Sequence, residues 1–598
     1  MCFFWLALSL CSNARSFTSF ESAPEQIPVQ NEFAFVQIGF QFRETVGVTF
    51  RNGIFVPHEN ACANALNSIF QEITPGTVYP VFPEHQSTGR NTSSSGRTTI
   101  RLSHFFRVVL SDDVDVIQFI EALEAVDCIE AVYPITVVPM WESNWDEVPH
   151  WARDGTPDFS SAQDYLFSDA PGAPRIDDAW EYDGGNGRAM RITDIEYGWD
   201  RFHEDLVKLR DPAVVIGGDP GSSMEEDHGT AVAGMMIGTD NGFGIIGCIP
   251  ESDMQICYVM NEGRVALAEA VVTASDSTRV GDVILIEMQA LGPDDGSGHA
   301  RLVPVEWIPE VFAAIAYATD QGRIVIEPTG NSGADLDDPI YQSRFDRNLW
   351  DSGAILVGAG QPYTLEPCTF SGYGNRVDLQ GWGSGIVTTG FGDAPGSPAE
   401  AHRQYTTRFG GTSGAAAMVA ATVVAIQGIA QARFGEPLGP RAIRDLLVRT
   451  GNPSPQSGTI GALIDVNAAV NELGEPTPTP TPGVFADLRL NSNMYHAGEL
   501  FILSQETINT GEGIAVSEYL VLDILGYYYF WQWPGFDPAF SGKTFFLPPG
   551  RYTEQFLNFI WPQGDFGEVD GIGVYFCYLG IFSVECVSNL DMCLFGYR

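Results

Sequence analysis

Short apolar runs alternate with helical apolar patterns over residues 155–473. Val283–Ile286 is an unbroken apolar run of strand length, and apolar residues then recur at helical spacing from Trp307 to Ala318. The strand-like segment 323–326 follows. This alternation is typical of a mostly parallel central sheet with helices on both faces, so we predict a three-layer α/β domain.

The region before this domain has a different pattern. Strand patterns at Phe105–Leu110 and Cys128–Tyr133 enclose an amphipathic helical pattern at Val114–Ala125. Residues 16–145 are therefore expected to contain a small α+β unit.

The region after the α/β domain begins with a Pro/Thr repeat. Alternating proline in residues 474–483 forbids helix and sheet pairing and predicts an extended linker. Residues 484–598 combine β-forming runs with Gly and Pro turns, so we expect a C-terminal all-β accessory domain.

The first fifteen residues, 1–15, have the pattern of a short signal peptide. An apolar run from Cys2 to Leu10 is followed by the small residues Ser12 and Ala14, although no basic residue precedes the run. No later stretch reaches the roughly 18 unbroken apolar residues of a spanning helix, so no membrane span is expected. We predict a secreted or cell-surface protein, with disulfides rather than zinc sites as the use of its cysteines.

Acidic residues dominate the charge of the chain. There are 76 Asp and Glu against 31 Lys and Arg, which gives a formal net charge of -45. Because nucleic-acid binding needs many basic contacts to phosphate, nucleic acid is a poor candidate as a partner and is not expected.

Four separate segments supply groups for nucleophilic catalysis by serine. Asp194 ends an apolar strand pattern, His228 opens a helix in His-Gly-Thr, Asn331 follows a buried strand between glycines, and Ser413 stands at a Gly-Gly-Thr-Ser helix start. A serine nucleophile needs a base, an acid that orients the base, and donors for the oxyanion. Taken singly, each residue could equally be a turn or cap residue.

Together, the order Asp, His, Asn, Ser within one α/β domain resembles the subtilisin-like serine peptidase family (peptidase S8), over residues 158–473. The resemblance implies a subtilisin-like domain in which Asp194 orients the base His228 and Ser413 is the nucleophile. Asn331 and the Ser413 backbone N–H would bind the oxyanion.

The resemblance also implies a substrate-binding strand, with polypeptides as the substrates. Gln289, Ala290, Leu291 and Gly292 would pair with the substrate backbone and line the S1 pocket, together with Gly330. Leu291 stands where the family often has glycine, which predicts a narrowed pocket.

Three further positions depart from the family pattern. Ile195 and Glu196 replace the Thr/Ser-Gly that usually follows the acid, and the path from Asp194 to His203 is about two residues longer. Ala417 replaces a proline after the nucleophile. These departures leave one alternative open, a catalytically inactive peptide-binding protein of the same fold.

No cofactor is expected to be required for catalysis. Asp205 and Asn241 resemble positions where relatives bind a structural calcium ion through oxygen ligands. Acidic loops in so acidic a chain are equally explained by solvation.

The α+β unit at 16–145 resembles the propeptide of this family, which would act as an intramolecular inhibitor. We therefore expect a zymogen that becomes a secreted serine endopeptidase by cleavage between about Pro139 and Asp158. A permanent N-terminal domain is the structural alternative.

Overall fold

The computed structural model describes residues 37–140, 155–474 and 484–597, with internal gaps. The gaps are 44–45, 47–49, 52–53, 57–60, 74–75, 84–91, 96–97, 112–113, 168–171, 221–225, 295–299, 456–459, 491–493, 496–499, 510–513, 525–526, 533–534, 538–542, 548–549, 561–568 and 581–590. The predicted signal peptide, most of the Pro/Thr linker and residues 141–154 lie outside the described residues. The chain divides into two compact units, Met1–Leu473 and Gly474–Arg598.

The described elements of residues 37–140 are short strands and two helices. They are β1 (Gln37–Phe42), β2 (Phe50–Arg51), β3 (Ile54–Phe55), β4 (Gly76–Pro80), β5 (Thr92–Ser95), β6 (Thr98–Arg101), β7 (Phe105–Leu110), β8 (Ile129–Pro134), β9 (Val137–Pro139), α1 (Ala61–Ile73) and α2 (Val116–Glu124).

Four of these strands form one antiparallel sheet in the order β4-β7-β1-β8. β7 and β8 flank α2 along the chain, yet β1 lies between them in the sheet, which makes a split β-α-β unit. Helix α2 begins after Asp115, whose side chain accepts a hydrogen bond from the Gln118 N–H. The Cys62–Cys128 disulfide ties α1 to the start of β8.

The described elements of residues 155–473 form an α/β domain. Its strands are β10 (Arg191–Glu196), β11 (Val215–Gly217), β12 (Asp253–Tyr258), β13 (Met260–Asn261), β14 (Arg264–Val265), β15 (Val283–Ile286), β16 (Met288–Asp294), β17 (Ala300–Val303), β18 (Ile324–Pro328), β19 (Ile355–Gly360), β20 (Leu379–Trp382), β21 (Ile386–Thr389), β22 (Tyr405–Phe409) and β23 (Ala462–Leu463). Its helices are α3 (Asp164–Phe167), α4 (Glu226–Ile237), α5 (Leu267–Ser277), α6 (Pro309–Asp320), α7 (Gly411–Phe434), α8 (Pro440–Thr450) and α9 (Val466–Leu473).

Eight of these strands form a parallel sheet in the order β11-β12-β10-β15-β18-β19-β20-β23. Alternate residues of β15 enter two different cores: Val283 and Leu285 pack with α4 and α7, whereas Ile284 and Ile286 pack with α5 and α6. Because side chains alternate across a strand, a fully apolar run is what a sheet covered on both faces requires. The predicted α/β architecture is confirmed.

Helix α7 is the longest described helix and runs through the core. By length and composition alone it could cross a membrane, with a mean hydropathy of 1.7, but its whole apolar window is buried inside the domain. An apolar helix that is covered all round by protein is a core helix. Among the described residues no other helix meets the same criteria.

The C-terminal unit is built from strands. They are β24 (Val484–Leu490), β25 (Met494–Tyr495), β26 (Leu500–Asn509), β27 (Ile514–Ile524), β28 (Tyr527–Gln532), β29 (Gly535–Asp537), β30 (Lys543–Leu547), β31 (Gly550–Ile560), β32 (Val569–Gly580) and β33 (Asp591–Tyr597). They form a three-stranded sheet, β24-β26-β31, and a larger sheet around β27 and β32.

Candidate active site

His228 is the third residue of α4 and is buried, with 7% of its surface exposed. Gly229 allows this helix start to lie against the turn after β10, since a Cβ there would be 2.3 Å from the Gly198 carbonyl oxygen. The imidazole also meets the Phe409 ring edge to face, with 5.6 Å between ring centroids. The close approach of the helix start and the contact with Phe409 therefore position the imidazole.

Ser413 lies in the first turn of α7, where its hydroxyl oxygen is 3.0 Å from Nε2 of His228. The two glycines before it are both required. Gly411 has φ +69°, and a Cβ on Gly410 would lie 2.3 Å from the Gly383 carbonyl oxygen. This tight turn presents the hydroxyl at a helix N-terminus, where negative charge is stabilised.

The acid that contacts His228 is Glu196, not Asp194. Oε1 of Glu196 lies 2.5 Å from Nδ1 of His228. Asp194 instead accepts a hydrogen bond of 2.9 Å from the indole N–H of Trp199. The prediction that Asp194 orients the base is therefore wrong.

The physical reason is the geometry of β10. Asp194 and Glu196 are two residues apart and share one face of the strand, but only Glu196 stands at its carboxyl end, beside the start of α4. Asp194 lies one pleat deeper in the strand. Its burial, and to a smaller extent the neighbouring Glu196 charge, raises the pKa of Asp194 well above its ordinary value.

The sequence contained a signal for Glu196. Measured from Asp194, the path to His203 is about two residues too long, and the expected glycine is missing. Measured from Glu196, the excess disappears and Gly198 occupies the glycine position. Glu196, which departs from the family pattern when counted from Asp194, is itself the acid.

Asn331 follows β18 and is held by its carbonyl end. Its Oδ1 accepts hydrogen bonds of 2.9 Å from both the backbone N–H and the hydroxyl of Thr412, the residue before Ser413. The amide Nδ2 donates to no protein atom in the described part of the chain. The side chain is thus oriented with a free N–H donor next to the serine.

The predicted substrate strand is β16, and a segment of the chain itself lies along it. β9 pairs antiparallel with β16, with Val138 opposite Gln289 and Val137 opposite Ala290. The backbone N–H of Leu291 donates to the carbonyl oxygen of Thr136 at 3.1 Å. The strand edge therefore accepts an extended peptide, which is the geometry of strand addition.

The far edge of β16 is covered by β17. Gly330 approaches β17 so closely that a Cβ on it would lie 2.6 Å from the carbonyl oxygen of Leu302. A Cβ on Gly292 would lie 3.3 Å from the ring of Tyr341. Val138 packs against Leu291, Ala300 and Leu302 in a small apolar cluster. All five residues predicted to bind substrate lie in this region.

Asp205 and Asn241, the residues predicted to bind calcium, lie together and are hydrogen-bonded to each other. The Asp205 carboxylate accepts hydrogen bonds from Nδ2 of Asn241 at 2.8 Å and from the Ile245 N–H at 2.9 Å. These two donors are directed at the carboxylate oxygens that a calcium ion would use as ligands. Burial raises the pKa of Asp205 to about 6. Calcium binding by these residues remains a prediction.

Glu196, His228 and Ser413 form a continuous hydrogen-bonded chain in a buried site. A carboxylate at Nδ1 fixes the tautomer in which Nε2 is free to take a proton from the hydroxyl. With Asn331 beside the nucleophile, the arrangement is suited to acyl transfer through a negatively charged tetrahedral intermediate.

Comparison with known proteins agrees with this chemistry. Residues 209–474 match the profile of the subtilase family, Peptidase_S8. The match contains His228, Asn331 and Ser413 and begins after Glu196. This part of the chain is similar to the subtilase family of serine peptidases.

Individual relatives are distant. An intracellular serine protease of Paenibacillus polymyxa is 28% identical over 286 residues, which cover 46% of this chain and 78% of that protein. A major intracellular serine protease of Bacillus subtilis is 25% identical over 45% of this chain and 78% of its own length. The crystal structure of fervidolysin from Fervidobacterium pennivorans aligns over 97% of this chain and 79% of that chain, with a TM-score of 0.46 and 15% identity.

Proposed function

We propose that this protein is a serine endopeptidase whose catalytic triad is Glu196, His228 and Ser413. The observation that supports the proposal most directly is the pair of contacts of one imidazole, 3.0 Å to the Ser413 hydroxyl and 2.5 Å to the Glu196 carboxylate. Both distances fall within the reach that proton transfer and orientation of the base require.

The reaction begins with attack of Ser413 Oγ on the scissile carbonyl carbon. Nε2 of His228 takes the hydroxyl proton, and Glu196 stabilises the imidazolium that forms. Asn331 Nδ2 and the Ser413 N–H donate to the oxyanion. Collapse of the intermediate breaks the C–N bond, His228 protonates the leaving amine, and an acyl-serine remains.

Deacylation repeats the same steps with water. His228 removes a proton from the water as its oxygen attacks the acyl carbon, and the second tetrahedral intermediate uses the same donors. His228 then returns the proton to Ser413 Oγ as the ester bond breaks. The hydroxyl is restored, and the second product is a peptide with a free carboxylate.

The N-terminal part is proposed to be the inhibitor of this site. Two contacts support the proposal: β9 lies along the substrate strand, and Arg107 of β7 is buried against Glu310 at the start of α6. Arg107 also donates to the Val265 carbonyl, and Glu269 lies 3.7 Å away. A buried guanidinium with several partners on the catalytic domain is a specific anchor.

Activation would then require cleavage after the paired part of β9, between about Pro139 and Asp158. The protein is proposed to be exported to the cell surface or the medium. The N-terminal apolar run and the net charge of -45 support this location. The Cys62–Cys128 disulfide is also typical of an oxidising compartment. N-terminal sequencing of protein collected from the culture medium tests export and the cleavage position together.

Steady-state and burst kinetics test the enzymatic proposal. The processed protein should hydrolyse a peptide ester with an initial burst approaching one product per enzyme, since an acyl-enzyme accumulates when deacylation is slow. Ser413→Ala should abolish both phases while the protein still binds the peptide. A processed wild type that binds peptides without cleaving them would favour the inactive binding protein.

A further inference from the structure

Gln289 is a fully buried polar residue on the substrate strand, with none of its surface exposed. Its amide makes a hydrogen bond at each end. Nε2 donates to the carbonyl oxygen of Pro139 at 2.7 Å, and Oε1 accepts from the backbone N–H of Asn331 at 3.1 Å.

The second bond decides the orientation of the amide. The backbone N–H of Asn331 can only donate, so the carbonyl end of the Gln289 side chain must face it. The N–H end of the same amide is therefore directed at the peptide lying on β16. This donor is available to any chain bound there, because every peptide residue has a carbonyl oxygen whatever its side chain.

Gln289 is thereby linked to the nucleophile through two residues. Gln289 accepts a hydrogen bond from the backbone N–H of Asn331. The Asn331 side chain in turn accepts one from the backbone N–H of Thr412, the residue before Ser413. One amide thus touches the bound peptide at one end and supports the oxyanion donor at the other. A shift of the peptide carbonyl would move the Gln289 amide, and the amide would in turn shift Asn331.

We propose that Gln289 is a substrate-positioning residue that binds a backbone carbonyl of the polypeptide substrate through Nε2 and holds Asn331 in place through Oε1. The inference rests on the proposed peptidase function and deepens it. In the described structure the carbonyl of Pro139 occupies the position that a substrate carbonyl takes after activation.

Two substitutions separate the donor role from simple packing. Gln289→Glu keeps the shape and the acceptor for Asn331, but its ionised carboxylate cannot donate to a peptide carbonyl. Its protonated form can, because a carboxylic acid has one donor and one acceptor. Gln289→Met keeps the approximate volume and provides neither bond at any pH.

The measurement is kcat and KM of the processed enzyme and both variants for a peptide nitroanilide, from pH 5 to pH 9. At alkaline pH both variants should lose about 10- to 100-fold in kcat/KM, which is typical of an unpaired buried polar group. As the pH falls, the ratio of Gln289→Glu to wild type should rise at least about tenfold, whereas the ratio for Gln289→Met should stay flat.

Equal activity of Gln289→Glu and wild type at every pH would overturn the inference, as would parallel pH profiles of the two variants. Circular dichroism and thermal unfolding show whether each variant is folded. If one variant is unfolded, the comparison of the other variant with wild type tests the inference. The wild-type rate separates this test from that of the proposed function: a wild type with no turnover refutes peptidase activity, while normal turnover with unaffected variants refutes only the role of Gln289.

Discussion

Glu196 and Asp194 offer a matched pair of substitutions, since both are buried carboxyls on the same face of one strand. Glu196→Gln and Asp194→Asn each replace a carboxyl by an amide of nearly the same shape. Only the first should disable the enzyme, because only Glu196 contacts His228.

The size of the effect follows from the geometry. In the transition state, His228 becomes an imidazolium hydrogen-bonded to the Glu196 carboxylate. Two unit charges about 4 Å apart attract by about 4 kcal/mol at an effective dielectric constant of about 20, which is about a thousandfold in rate. An amide can also donate to Nδ1 and select the wrong tautomer, and the equivalent change in a well-studied triad costs about 10⁴-fold in kcat.

We therefore expect Glu196→Gln to lower kcat by about 10³- to 10⁴-fold with little change in KM. Asp194→Asn should change kcat by less than about tenfold, because the raised pKa of Asp194 favours a neutral carboxyl, and asparagine can also accept the Trp199 hydrogen bond.

Initial rates with a peptide nitroanilide would be measured for both variants and compared with wild type. Each precursor is processed by a trace of tagged wild type that is then removed, and folded protein is quantified by circular dichroism. Equal losses in the two variants, or a larger loss in Asp194→Asn, would refute the assignment of the acid.

Three further predictions concern the oxyanion donor, the inhibitor anchor and a buried carboxyl. Asn331→Ala should lower kcat about 10²- to 10³-fold with KM nearly unchanged in steady-state assays, and an unchanged kcat would exclude its Nδ2 as a donor. In a Ser413→Ala precursor, Arg107→Met should destabilise the docked N-terminal part by about 3 kcal/mol or more in denaturant unfolding, whereas the exposed Arg43→Met control should change stability by less than about 1 kcal/mol. Because Asp205 has a folded-state pKa of about 6 against an ordinary 3.8, wild type should lose about 3 kcal/mol relative to Asp205→Asn as the pH rises from about 4 to above 6, and parallel stability curves would contradict this.

Local patterns in the sequence were sufficient for the elements of the α/β domain. The apolar run at Val283–Ile286 is β15, and the helical pattern from Trp307 to Ala318 lies largely within α6. These elements are buried on a defined face or on both faces, so the periodicity of their apolar residues reflects their structure.

Sheet order in the N-terminal part could not be predicted in the same way. The patterns indicated two strands around a helix, but the strand between them, β1, comes from an earlier part of the chain. Pairing between distant segments depends on tertiary packing that local periodicity does not report.

The candidate site shows the same limit on a smaller scale. His228, Asn331 and Ser413 were predicted from short motifs, and the structure brings them together. The acid is harder to predict because Asp194 and Glu196 share a strand face, so that the spacing to Gly198 and His203 and their depth relative to α4 must distinguish them. The role of the Gln289 side chain also depends on partners from two distant segments.

Reaction of the processed protein with a fluorophosphonate, followed by peptide mapping, tests the central claim most directly. An activated serine should form one covalent adduct per molecule on Ser413, and the adduct should be absent from His228→Ala. A folded, processed protein that remains unlabelled, or that carries the label on another residue, would contradict the account.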